Sequence, residues 1–125
     1  MLSGNSPDGI WFSGAEMTRA CIDVFKEAGK PLVPMTGEGN NGFLRVWKST
    51  GLKSVAPQFT PGLGAALVRA SAALLAGKPL YRSYFSSPPP ITQADLDKFF
   101  RPDLSDAYWM PSTLPEATLK ETFRR

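Results

Sequence analysis

Glu38, Asn40 and Asn41 fall together in Thr36-Gly37-Glu38-Gly39-Asn40-Asn41, directly after the short apolar run Leu32-Val33-Pro34-Met35 and just before a helix-like segment opening at Gly42-Phe43. A carboxylate and two planar amides at that spacing can accept from and donate to the hydroxyls of a small polar ligand. A buried parallel strand that stops and yields to glycine, acid and amide delivers polar groups to the C-terminal edge of a sheet. Ligands of open α/β sheets sit outside that edge. The same residues also read as a turn followed by a helix cap, because glycine supplies positive φ and asparagine caps helices. On sequence both readings stand.

The rest of the chemistry is narrow. The 125 residues contain no histidine and one cysteine, Cys21. That removes Ser-His and Cys-His nucleophile pairs, an internal disulfide and nearly every zinc site. Acid/base work by Asp and Glu stays open, yet no carboxylate pair stands out. Gly37-Glu38-Gly39 lacks the third glycine of a dinucleotide loop, and there is no Walker-type loop. No catalytic set, metal site or cofactor is therefore expected. The net charge of +3 is modest and its basic residues are scattered apart from Arg124-Arg125, which leaves no footprint for nucleic acid. No run is apolar enough to cross a membrane, and Met1-Leu2-Ser3-Gly4-Asn5-Ser6-Pro7 is polar and turn-like rather than a signal pattern.

Elements that must position these residues follow from hydrophobic spacing. Ile10-Trp11-Phe12-Ser13-Gly14 reads as a buried strand. From Ala15 to Ala28 the apolar residues Met17, Ala20, Cys21, Val24, Phe25 and Ala28 recur at helical spacing, with Thr18, Arg19, Asp23, Lys26 and Glu27 opposite, and Gly29 as the stop. Cys21 is then a small core residue rather than a reactive thiol. A second strand covers Leu32 to Met35, a helix capped by Asn40 or Asn41 runs from about Gly42 to Thr50, and a third strand covers Lys53 to Phe59, with Pro57 near its irregular end. Thr60-Pro61 starts an Ala-rich helix ending before Gly77. Leu80 to Phe85 is a further strand candidate, and Ser86-Ser87-Pro88-Pro89-Pro90 an extended linker. A short helix from Thr92 to about Phe100, an irregular stretch carrying Tyr108 and Trp109, and a last helix from Thr113 to about Phe123 complete the chain. Strand and helix alternating so quickly imply right-handed βαβ units and an α/β domain with a parallel sheet.

Four features, in order, carry a resemblance: Asp8-Gly9-Ile10-Trp11-Phe12-Ser13-Gly14-Ala15-Glu16-Met17, the helix end Ala28-Gly29-Lys30, the loop Thr36-Gly37-Glu38-Gly39-Asn40, and Ala56-Pro57-Gln58-Phe59-Thr60-Pro61-Gly62-Leu63-Gly64. The helix reaching Leu75-Ala76-Gly77-Lys78 and the strand after it fit as well. Together they resemble the C-terminal part of periplasmic sugar-binding proteins of bacterial ABC transporters, the ribose/galactose type, over roughly Asp8 to Asp97. The span is most of this chain but less than half of a two-lobed family member. The resemblance implies a three-layer, mostly parallel sheet with flanking helices, a Rossmann-like lobe of the type I periplasmic binding protein fold, incomplete without the other lobe. It divides the chain into residues 1–59 as a βαβαβ portion, 60–90 as a crossover helix and strand that would pack on the N-terminal lobe, and 91–125 as a C-terminal extension with two short helices.

The resemblance also implies a site. In the family the first strand ends in polar residues that bond sugar hydroxyls, and these places fall at Ser13 and Gly14. The second strand ends in a sugar-bonding acid, here either Glu38 one place early or lost at Gly39. The third ends in an amide matched by Gln58, with Phe59 and Thr60 as hinge. Asn40 joins Ser13, Glu38 and Gln58 as a ligand contact, and Trp11 is the candidate ring for a sugar's apolar face; Phe12 and Trp47 read as core. The implied partners are a sugar and, in the full-length protein, an ABC permease, and the implied location is the periplasm. An apolar helix face left without its partner sheet favours association, so a homodimer or higher oligomer is expected, with exchanged segments as one form. The effector-binding domain of a lactose-repressor-type regulator shares the fold and is the alternative; it would need an upstream helix-turn-helix. A small α/β enzyme is the third class, disfavoured by the missing histidine.

Overall fold

A computed structural model describes residues 7–59, 61–85 and 88–125. The expected cap at Thr60, its role as hinge, and the Ser86-Ser87 part of the linker lie outside the described residues. The chain is α/β. Its order is α1 (Ala15–Glu27), β1 (Met35–Thr36), α2 (Asn41–Thr50), β2 (Ser54–Val55), α3 (Gly62–Leu75), α4 (Leu96–Phe99) and α5 (Glu116–Thr122).

β1 and β2 are parallel, with Met35 opposite Ser54 and Thr36 opposite Val55. Ile10 adds a parallel bridge to Met35 on the other side, and Ala56 an antiparallel bridge to Ile91. The expected strand at residues 10–14 contributes that single bridge, the one at 32–35 survives only at Met35 and runs on to Thr36, and the one at 53–59 shortens to Ser54–Val55. Proline explains part of this, since Pro31, Pro34 and Pro57 have no N–H for a ladder. What splices the first segment to β1 is a side chain: the Thr36 hydroxyl accepts from Phe12 N at 2.8 Å and donates to Phe12 O at 3.2 Å.

The helices stop where expected, with Gly29, Gly51 and Gly77 all at positive φ. In α1 the buried face differs from the expected one. Ala15, Thr18, Ile22 and Phe25 face inward, while Met17 and Val24 are half exposed. Thr18 can be buried because its hydroxyl donates to Thr36 O at 2.7 Å, and the bulk of Ile22 and Phe25 then sets the face. Cys21 is half-buried against the core. Phe43, Leu44 and Trp47 of α2 form the centre, and the Trp47 indole N–H donates to Gln93 Oε1 at 2.8 Å. Phe12 packs against the core from its edge.

Residues 91–125 are part of this core rather than an appendage to it. Ile91, Leu96, Leu104, Tyr108, Met110 and Leu119 are buried in the same cluster. Its helices begin later than expected, at Leu96 and Glu116, with Asp95 and Pro115 in the cap positions. Thr92 instead bonds Asp95, hydroxyl to carboxylate, at 2.7 Å. Residues 80–85 form no strand and are exposed.

Asn41 holds the two parts together. Its Nδ2 donates to Arg101 O at 2.8 Å, Leu104 O at 2.9 Å and Ser105 O at 3.1 Å, and its Oδ1 accepts from Arg101 N at 3.0 Å. Asn41→Ala strands these groups in a buried seam and should cost on the order of 3 kcal/mol. Urea unfolding followed by circular dichroism measures it, and an unchanged midpoint would refute the role.

Candidate functional site

Parallel pairing places the ends of the Ile10 segment, β1 and β2 side by side. Gly37 N donates to Val55 O at 3.2 Å and Gly39 N to Pro57 O at 3.0 Å, so the chains stay in step beyond the strands. Ser13, Glu38 and Gln58 follow these ends in turn. Ser13 is exposed and Trp11 is 75% exposed, while Glu38 and Gln58 are half-buried.

Glu38 and Gln58 also serve the fold. Glu38 Oε2 accepts from Ala15 N at 3.3 Å. It thereby supplies negative charge to the start of α1, whose own cap position, Gly14, has no side chain to offer. Its Oε1 takes no hydrogen bond from the described residues. Gln58 Nε2 donates to Pro89 O at 2.8 Å, tying the outgoing chain to the returning one, and Phe59 next to it is exposed.

Asn40 is different. It is buried, its Oδ1 accepts from Phe43 N at 3.1 Å, and its Nδ2 donates to Asp106 O at 3.0 Å. Both ends of the amide are used in capping α2 and holding the 106–110 strip, as the cap reading of this loop expects. Asn41 is spent in the same way. The amides belong to the fold; the strand edge keeps Ser13, Glu38 and Gln58.

Two glycines decide what this edge can carry. A Cβ on Gly37 would lie 2.3 Å from the Phe43 ring, so glycine lets the core aromatic pack under the loop. A Cβ on Gly39 would lie 3.0 Å from Met110 O and 3.6 Å from Gln58 Cα. An acid at Gly39 would have to push away a backbone strip that is itself pinned by Met110 N donating to Gly39 O at 2.9 Å. Glu38 is the carboxylate that the chain places at this edge.

Sequence spacing gave no hint of that strip. Residues 104–110 read as irregular, yet Trp109 bridges Asn40, Asn41 N donates to Tyr108 O at 2.8 Å, and Gly42 N donates to Asp106 O at 3.2 Å. Asp106 accepts from Arg45 Nε at 2.8 Å and Arg19 Nη2 at 3.3 Å, latching the strip to α2 and α1. Half-buried Trp109 thus reaches the loop from far along the chain.

Perturbed ionisation lies away from this edge. The Arg101 guanidinium bonds Asp103 and Glu116, which holds Asp103 down at about 2, lowers Glu116 and raises Arg101 itself. Burial pushes up the Tyr108 phenol and the Cys21 thiol, leaving Cys21 a poor nucleophile. Two concavities, of about 440 and 390 Å³, lie beside Asp103 and Lys120 and beside Leu32 and Gly51. Neither is lined by Ser13, Glu38 or Gln58. With Ser13 and Trp11 exposed, the strand edge is open to solvent. No group of metal-ligating side chains occurs among the described residues, and no described helix is long and apolar enough to cross a membrane.

Comparison with protein-family models, with curated proteins and with solved structures returned no match.

The Arg101 cluster makes a test of its own. Because the Asp103 carboxyl is lowered in the fold, its contribution is complete above about pH 4 and disappears as pH falls toward about 2. Its side chain is 43% exposed, so solvent screening holds that contribution below about 1 kcal/mol. Asp103→Asn should be slightly less stable than the parent at pH 7 and equal to it near pH 2. A stability difference that grows in acid would contradict the assignment.

Proposed function

We propose that this chain binds a sugar at the C-terminal edge of its parallel strands, as the C-terminal-lobe part of a periplasmic solute-binding protein that supplies an ABC permease. On this reading the α/β body is one three-layer, Rossmann-like lobe and the strand edge is one wall of a two-walled cleft. The chain is a binder and not a catalyst. The observation that carries the reading is the convergence of Ser13, Glu38 and Gln58 at three adjacent strand ends. It is supported by the resemblance of the surrounding motifs and by the crowding that leaves Glu38 as the acid beside Gly39.

Their chemistry suits a polyol. The Glu38 Oε1 accepts, the Gln58 carbonyl accepts, and the Ser13 hydroxyl does both, so neighbouring sugar hydroxyls can be satisfied in each direction. Trp11, exposed two residues before Ser13, offers a ring to an apolar sugar face. An open wall leaves most of a sugar in water, so affinity for the chain alone is weak.

Amide chemical shifts recorded against a panel of pentoses and hexoses test this. Perturbations should centre on Trp11, Ser13, Glu38 and Gln58. Glu38→Gln or Gln58→Ala should weaken the response about tenfold, the scale of one lost hydrogen bond to a charged or buried partner. An unresponsive strand edge, or shifts that cluster elsewhere, would refute the site.

A further inference from the structure

Residues 57–90 leave the body beside Gln58 and rejoin it at Ile91, and the two ends are closed by Ala56 N donating to Ile91 O at 3.0 Å and Ile91 N donating to Ala56 O at 2.7 Å. None of the described residues between them is buried. Leu67 is 60% exposed, Leu75 89% and Phe85 96%. Within this arm α3 is apolar around nearly its whole circumference, with Arg69 and Ser71 as its polar side chains. A helix of that composition belongs in an interior.

We propose that the arm is a self-association surface, on which α3 of one copy packs against α3 of a second copy along Leu63, Leu67, Ala70 and Leu74. These positions are separated by four, three and four residues, the spacing that keeps side chains on one stripe of a helix pair. Ala66 and Ala73 flank the stripe on one side and Gly64 and Ser71 on the other, so two backbones can approach closely. Arg69 lies well round the helix from the stripe, which keeps its charge out of a two-fold contact. The exposed leucines of α3 with Tyr81, Tyr84 and Phe85 supply the area. Aromatic side chains bury roughly 150–250 Å² each, and a stable pair needs roughly 800 Å² per partner.

A lipid surface suits the arm less well. The arm has Arg69, Lys78 and Arg82 and no acid, but an interfacial helix carries its cations on a polar face, and α3 has one charge and no such face. The resemblance instead packs residues 60–90 on an N-terminal lobe, so self-association is an alternative to that packing, and it does not depend on sugar binding at the strand edge.

Sedimentation velocity of the whole chain across the micromolar range tests it. The expected result is a concentration-dependent dimer. Leu67→Glu and, separately, Leu63→Glu should weaken it about tenfold or more, with circular dichroism unchanged because neither residue is in the core. Ala65→Glu, on the opposite side of α3, should leave the dimer intact. A monomer throughout, a dimer that survives both leucine variants, or a monomer that co-sediments with phosphatidylglycerol vesicles would overturn the proposal.

Discussion

Two adjacent buried amides constrain most of this structure. Asn40 and Asn41 sit at the start of α2 with almost no exposed surface, and an unpartnered amide there would be costly. Asn40 meets that demand from the helix it caps and from Asp106 O. Asn41 meets it entirely from the turn at residues 101–105. Satisfying the pair therefore drags a distant segment across the mouth of α2. Arg45 and Arg19 then close on Asp106. Once the strip lies there, a Cβ at Gly39 would meet Met110 O at 3.0 Å, so a side chain fits only if the strip gives way. The cap of α2 and the crowding at Gly39 are consequences of the same packing.

What could be read from residue order was the local part. Asn40 as a cap, the glycine stops at Gly29, Gly51 and Gly77, and parallel strands alternating with helices all follow from rules that act within a few residues. The α1 face was misread because Met17, Val24, Ile22 and Phe25 put apolar groups on several sides, and the tie was broken by Thr18 bonding a carbonyl on β1. The strip at 104–110 had no periodicity to read, since it is held by amides and guanidinium groups from elements some sixty residues away. Of the residues proposed for the site, Ser13, Glu38 and Gln58 share an edge because parallel register is dictated by backbone pairing. Asn40 was ambiguous in sequence because a cap and a ligand contact use the same atoms.

The chain thus joins two unlike parts. In the body, buried leucines and aromatics are matched by satisfied polar groups. In the arm, an apolar helix has no buried residue and every charge is positive, so that it alone accounts for a charge equal to the whole chain's net +3. The junction between them is the bridge at Ala56 and Ile91, reinforced by Gln58 bonding Pro89 O. Gln58 is also the third strand end. The arm therefore leaves the body at the strand end that carries Gln58 and returns beside it at Pro89 and Ile91.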